Sequence, residues 1–429
     1  MKYAYTHANL WDGRQDAALR EDVTVLTDGE IITAVLERGA RTPLGYRKVD
    51  LKGKYLMPGL VNLHAHLFGT GKPSKVLGGG GAQKAIIAFA GSKAGRPVID
   101  SMVRSHVTAS LHAGVTTIRS SGDFFYSDVR IRDRINAGKL TGPRLIVPGP
   151  AITCVGGHGD GTFGVASDDP AELVRLTDRN AAHGVDYIKI CVTGGVMDAK
   201  VRGEPGEVKM TLEQTKAVCD RAHALGYHVA SHTESSKGVR VALEGGVDTI
   251  EHGSYLDDAL VALFQERGSA YIVTTSPALP LAKLPPEVTK LDELCTYNTN
   301  VVFEGMIAGA KTAMENGIPI GLGTDESCPL VTPYNMWREV CWFAEYCGVT
   351  NVFALHTATL GNAKIIGLDS VTGSIEPGKS ADMIVLPRSP LDDLTALRDV
   401  EMVVARGKLL RRPKVKRSAQ IDAWLDTLD

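Results

Sequence analysis

Eight short β-rich apolar runs, separated by longer helix-compatible segments, recur between Leu56 and about Asp325 and constrain the fold more than any other feature of the chain. They run from Gly59 to His64, Val115 to Arg119, Arg144 to Val147, Asp186 to Val192, Tyr227 to His232, Asp248 to His252, Ala270 to Thr275 and Ile318 to Thr324. Several are apolar at consecutive positions rather than alternate ones, the mark of strands buried on both faces of a parallel sheet. Between them, Thr211 to Leu225 carries Ala217, Val218, Ala222 and Ala224 beside a charged face and runs into Gly226, a residue suited to a C-cap. Eight such alternations over about 260 residues predict an α/β fold of the (β/α)8 TIM-barrel kind. The competing architecture, an open doubly wound sheet, calls for a phosphate loop after the first strand, where this chain has His64-Ala-His66. Neither Gly69-Thr-Gly-Lys72 nor the glycines at 78–81 have nucleotide-loop spacing.

The two ends read differently. Residues 1–55 and 365–429 show alternation and turn signals (Asp12-Gly13, Asp28-Gly29, Gly53, Gly373, Pro377-Gly378), which predicts one small β-sandwich domain built jointly from both termini around a central barrel domain of residues 56–364. With 47 Lys+Arg against 49 Asp+Glu the net charge is −2, which disfavours nucleic acid and anionic membranes as partners. Seven cysteines, an odd number without a CxxC pair, suit a reduced compartment. The first residues lack the apolar run of a signal peptide, and no stretch reaches 18 apolar residues, so a cytoplasmic location is expected. Glycine is in excess, 46 of 429 residues, and falls largely where barrel-top loops would turn tightly: Gly69, Gly71, Gly78 to Gly81, Gly156, Gly157, Gly159, Gly194, Gly195, Gly253 and Gly323. The segment Gly69 to Gly95 could approach a substrate closely or move as a lid.

Polar residues stand at the carboxyl ends of the expected strands, where barrel enzymes place their sites. His64 and His66, spaced i and i+2, project to one side and can reach one ion. Lys189 lies inside the apolar run Tyr-Ile-Lys-Ile-Cys-Val, where a buried ammonium costs several kcal/mol unless neutralised or paired with a carboxylate. His232 ends the fifth run, His252 the sixth, and Asp325 follows the eighth. Each alone could be a core residue or a helix cap, but four histidines, one lysine and one aspartate do not gather at five strand ends by accident.

These residues carry a resemblance. Pro58-Gly59-Leu-Val-Asn-Leu-His64-Ala-His66 and Gly-Leu-Gly-Thr-Asp325 resemble the first and last motifs of the amidohydrolase superfamily. The stretch from Ala358 to Leu368, together with Gly373-Ser-Ile-Glu-Pro-Gly-Lys-Ser-Ala-Asp-Met-Ile-Val-Leu, is similar to its return to the β domain. The resemblance implies two divalent ions, Zn²⁺ foremost with Mn²⁺ and Co²⁺ open: His64, His66 and Asp325 on the more buried ion, His232 and His252 on the more exposed one. It implies Lys189 bridging them as an N-carboxylated side chain, a hydroxide shared by the ions as nucleophile, and Asp325 as general acid and base. It also implies a homo-oligomer. A mononuclear deaminase would need no such lysine and places its glutamate at a longer spacing than His232-Thr-Glu234 gives.

Three further strings, Val155-Gly-Gly-His158-Gly-Asp160, Ile188 to Met197 and Glu251-His-Gly-Ser-Tyr255, resemble a prolidase-like and carboxypeptidase-like branch related to imidazolonepropionases. That branch removes a C-terminal amino acid, so the implied partner is a small molecule with a free carboxylate, either a dipeptide or an N-acyl amino acid. His158 and Tyr255 are the candidate donors to that carboxylate. Arg119, after the second run, either joins them or pairs with Asp123 or another carboxylate at the barrel top. A cyclic-amide hydrolase of the imidazolonepropionase or hydantoinase kind would use the same metal residues, and a non-catalytic scaffold of the same fold is the remaining alternative.

Overall fold

The structure is a computed structural model that describes residues 1–73 and 87–429. The glycines at 78–81, and with them part of the segment from Gly69 to Gly95, lie outside the described residues. Five strands come first: β1 (Lys2–Leu10), β2 (Arg20–Asp28), β3 (Ile31–Leu36), β4 (Arg47–Asp50) and β5 (Tyr55–Pro58). Three more close the chain: β16 (Met383–Leu386), β17 (Met402–Ala405) and β18 (Lys408–Arg411). All eight pair into one sheet of order β18-β17-β16-β5-β1-β2-β3, with β4 also on β1, where a sandwich would have two separately paired sheets. The nine residues of β1 explain this, since β4 pairs along Tyr3 to Thr6 and β5 along Asn9 and Leu10 of the same edge. The apolar side chains of both ends, among them Tyr5, Val25, Leu56, Met383 and Val404, share one core cluster.

All eight expected central runs form strands: β6 (Leu60–Ala65), β7 (Val115–Ser120), β8 (Arg144–Ile146), β11 (Ile188–Cys191), β12 (Val229–Thr233), β13 (Thr249–His252), β14 (Ala270–Val273) and β15 (Ile320–Leu322). Nearly every residue in them is buried, which is why they read as unbroken apolar runs. Two further strands, β9 (Ala151–Thr153) and β10 (Gly164–Ala166), pair in parallel and carry the loop that holds His158. At three residues each they are too short for any period to show in sequence. The ladders give a three-stranded sheet, β6-β7-β8, and a seven-stranded sheet, β10-β9-β11-β12-β13-β14-β15, and the ladder is not closed into one.

Side chains and turns stitch the two sheets. Asn362 donates to Val61 O of β6 (2.7 Å) and Leu322 O of β15 (2.9 Å). Beside it, Thr324 N and Asp325 N both donate to His64 O (3.0 and 2.8 Å). Gly323 is required here, because a Cβ at that position would stand 2.4 Å from His64 Cβ. At the other seam Asp186 N donates to Val147 O (2.7 Å), and Val147 N donates to the Asp186 carboxylate (2.9 Å).

Helices fill the connections. Leu212–Ala224 starts on a capping box in which Thr211 Oγ1 accepts from Gln214 N (3.2 Å) and Gln214 Oε1 accepts from Thr211 N (2.9 Å). The last helix, Ala419–Leu425, belongs with the central block: Ile421 and Leu425 join its apolar cluster, and the buried Arg338 of helix Met336–Cys347 pairs with Asp426 and Asp429. A cavity of about 970 Å³ opens at the end of the strands where they begin, lined by Asp186, His228, Asp248 and Pro319, and by none of the strand-end histidines. Among the described residues no helix is long and apolar enough to cross a membrane.

Candidate metal centre

His64 and His66, at the end of β6, point their Nε2 atoms at one oxygen of Asp325, at 3.2 and 3.4 Å. His66 Nδ1 lies 3.2 Å from Gly122 O, which orients the ring and assigns its proton to that nitrogen, leaving Nε2 as the free donor pair. His232 and His252 lie alongside: the His252 ring stands 4.8 Å from His64 and 4.6 Å from His232, edge on to each. His252 Nδ1 is held by Thr274 Oγ1 at 2.7 Å. Two three-residue sets result, His64, His66 and Asp325 in one and His232, Glu234 and His252 in the other, each with ligand atoms within 4.8 Å of one another.

The backbone is bent to achieve this. His252 (φ 66°) and Asp325 (φ 53°) both sit in the left-handed region, which costs a non-glycine residue about 1–3 kcal/mol and persists only where surrounding packing imposes it.

Burial decides the protonation states. It pushes the His64 imidazole down to about 4 and His66 to about 3, so both are neutral and able to donate lone pairs at pH 7. Burial alone would raise Asp325, but the facing imidazoles outweigh it and hold its carboxyl well below the usual carboxylate range. Glu234 is pushed well above that range by burial, with the Asp198 and Asp325 carboxylates acting in the same direction.

Lys189 stands next to these residues through Glu251, whose Oε2 is 3.2 Å from His64 Nδ1. Its ammonium abuts Glu251 Oε2, while Glu251 Oε1 accepts from Arg119 Nη2 at 3.0 Å, and all three side chains are almost fully buried. Burial pulls the Lys189 amine down to about 7, with Arg119 acting the same way and Cys191 and Asp325 opposing. Arg119 therefore pairs with Glu251, not with Asp123, whose carboxylate accepts from Ser127 Oγ and Phe124 N instead. Glu251 is the residue sequence reasoning passed over. The signal was present: a lysine inside a buried strand demands a carboxylate, and Glu251 is the only charged side chain in its own buried strand β13 besides the histidine beside it.

Of the two candidate carboxylate donors, His158 lies against the candidate metal-binding histidines, whereas the described contacts of Tyr255 are with Gly305 and Ser236. The His158 ring stacks on His232 (4.1 Å, 8°), and its Nδ1 is 2.5 Å from Asp198 Oδ2, which also accepts from Gly195 N at 2.9 Å. That arrangement leaves Nε2 as the edge of His158 free for a ligand. Gly195 fits because a Cβ there would press on both His158 Cε1 (3.2 Å) and His232 Nε2 (3.4 Å). Asp198 is a second residue the sequence did not reveal, since it is 40 positions from its partner. Tyr255 is half exposed, with its ring over Gly305.

The donor set fits divalent ions. Glu234 Oε2 and Asp325 Oδ1 are buried and make no hydrogen bond among the described residues. Each such orphan costs about 1–3 kcal/mol, a penalty that coordination relieves at Glu234 and Asp325. Neutral imidazoles with carboxylates suit Zn²⁺ and its neighbours in the transition series.

The chain is similar to known proteins along most of its length. The profile described as "Amidohydrolase family" matches residues 55–410. A solved structure of a Bifidobacterium longum protein assigned as a prolidase is similar over 99% of this chain and 98% of its own, with 38% identity and a TM-score of 0.87. A Xaa-Pro dipeptidase solved with methionine bound in its active site is 29% identical, with a TM-score of 0.82, over 96% of this chain and 100% of its own. The imidazolonepropionase of Thermoplasma acidophilum is 23% identical over 423 aligned residues, covering 92% of this chain and 90% of that protein.

Proposed function

The chain belongs to the amidohydrolase family, and from that premise we propose that it hydrolyses the amide bond to a C-terminal amino acid in a dipeptide or an N-acyl amino acid. The observation that carries this reading is His158, fixed by Asp198 on one ring edge and open on the other, directly beside the paired ligand sets. Likeness to the Xaa-Pro dipeptidase and to the Bifidobacterium longum protein supports the same bond type.

The ions, when bound, polarise the scissile carbonyl and make water nucleophilic at neutral pH. His64, His66, His232, His252 and Asp325 would hold them, Zn²⁺ being the proposed metal, and an N-carboxylated Lys189 would add carboxylate oxygens to the same centre. Asp325 takes the proton of the attacking water and delivers it to the leaving nitrogen, one positioned group serving as base and then acid. Its second oxygen accepts from Cys328 Sγ at 3.3 Å, which fixes the rotamer while Oδ1 stays with the histidines. His158 Nε2 and the Tyr255 hydroxyl bind the free carboxylate of the departing amino acid. The same reading treats the eight central strands as a (β/α)8 barrel domain, residues 56–364, beside a terminal domain of 1–55 and 365–429.

The metal-loaded enzyme should prefer a free C-terminal carboxylate to its carboxamide by about 100-fold in kcat/KM, the equivalent of about 3 kcal/mol from two charge-assisted hydrogen bonds. Equal cleavage of both rejects the carboxylate-directed reading. Tyr255→Phe should lower kcat/KM on N-acyl amino acids by about tenfold, and an unchanged value removes Tyr255 from the site. Likeness to imidazolonepropionase supports one second reading, a cyclic-amide hydrolase on the same metal residues. Turnover of cyclic amides without turnover of linear ones selects it.

A further inference from the structure

We propose that Glu234 is the third protein ligand of the more exposed metal ion, so that each ion has three side-chain donors of its own. The proposal rests on the metal-dependent reading above and concerns a residue that reading leaves unused.

The geometry comes from the end of β12. His232 lies in the strand, Glu234 is the first residue beyond Thr233, and the pair is offset by two positions. That offset is the one that lets His64 and His66 converge from β6. The main chain at Glu234 is pinned: its N–H donates to Thr193 Oγ1 at 3.0 Å, and Gly206 packs so closely that a Cβ there would lie 2.4 Å from the Glu234 carbonyl carbon. Ser235 Oγ donates to Gly206 O at 2.5 Å, closing the same contact from the next residue. The carboxylate is thereby aimed, and one of its oxygens lies within 4.8 Å of ring nitrogens of both His232 and His252.

One oxygen of that carboxyl group, Glu234 Oε2, is buried and has no hydrogen-bond partner among the described residues. Among the described residues no lysine, arginine or histidine forms an ion pair with it within 4.0 Å. Lys189 and Arg119 are both engaged by Glu251. A buried carboxylate facing two imidazoles and two carboxylates lacks positive charge, and a divalent cation supplies it. Three ligands of its own would let the second ion bind even while Lys189 is uncarboxylated, the state that carbon-dioxide-depleted buffer sets.

Equilibrium dialysis of the metal-free protein against buffered Zn²⁺ in carbon-dioxide-depleted buffer, with metal counted by elemental analysis, tests this without any substrate. Wild type should retain two ions per chain. Glu234→Gln should retain one ion with unchanged affinity and bind the other at least about tenfold more weakly. Glu234→Asp should fall between them, and it carries the test if Glu234→Gln does not fold. The visible spectrum of the Co²⁺ form should change in the variants at the second equivalent only. Two ions bound with wild-type affinity in Glu234→Gln overturn the assignment. So does an unchanged metal content combined with weaker binding of a free amino acid, which would make Glu234 a receptor for the substrate ammonium. Fewer than two ions in the wild type instead refutes the two-ion reading from which the proposal starts.

Discussion

Replacing Glu251 by Gln isolates the buried cluster beneath the metal centre. Glu251 has no exposed side-chain surface, Arg119 has 5%, and Lys189 has 1%, so none of the three charges is hydrated in the fold. Gln keeps the shape and one carbonyl oxygen for Arg119 Nη2, which now stands at 3.0 Å from Oε1. It loses the negative charge, and its amide places a donor against the Lys189 amine. Removing one partner of a buried ion pair costs about 3–5 kcal/mol, because the remaining charge is left without compensation. At about 2.1 cal/mol/K of unfolding entropy per residue, a chain of 429 residues shifts its Tm by roughly 1 °C per kcal/mol, so a drop of about 3–6 °C is expected. The measurement is calorimetry on the metal-free protein, where altered metal binding cannot contribute. Combining Glu251→Gln with Arg119→Met should cost at least about 1 kcal/mol less than the two single effects added together, because the second change removes the stranded guanidinium. A Tm within 1 °C of wild type for Glu251→Gln, or strict additivity in the double variant, would show that these residues do not act as one charge cluster.

Three other outcomes are expected. Metal-free protein should lose stability as pH falls from about 6.5 to 4, because burial keeps His64 neutral in the fold down to about 4 while the unfolded chain takes up a proton near 6.5; this histidine alone accounts for about 3 kcal/mol, and urea titrations of wild type and His64→Gln at several pH values compare the slopes. Arg338→Met should make the chain beyond Arg417 sensitive to protease, because the buried guanidinium holds Asp426 and Asp429 of the C-terminal segment; proteolysis at the wild-type rate rejects that role. Asp198→Ala should raise KM for carboxylate substrates about tenfold with little change in kcat, since the side chain orients His158, and metal content should stay constant; equal loss in kcat would place Asp198 in the chemical step instead.

Much of the candidate site is legible in the sequence because the central parallel strands are buried on both faces. Their apolar runs are continuous, so each polar residue at the end of a run stands out: His64, Lys189, His232, His252 and Asp325 are all visible in this way. What escapes is whatever depends on pairing across the chain. Glu251 has its meaning from Arg119, 132 positions away, and Asp198 from His158, 40 positions away. Glu234 is visible as a residue, but only the fold brings its carboxylate to His252, which comes from the neighbouring strand. The strands β9 and β10 are too short to show periodicity, and single-sheet pairing of the chain ends follows from how far β1 extends, not from the character of any residue. The C-terminal helix reads as part of the terminal domain by position, while Ile421 and Leu425 bury against the central core.

The seam between β5 and β16 joins Leu56 to Val385 in the middle of the terminal sheet. During synthesis Leu56 is made 329 residues before its partner, as their positions show. At about 5–20 residues per second a ribosome needs roughly 15–65 s to cover that interval. Throughout it, the Tyr55–Pro58 strand presents an unpaired apolar edge, open to the same strand of another nascent chain. The last eighth of the polypeptide therefore acts as a cover for the first, and slow elongation late in the message lengthens the time spent exposed to aggregation.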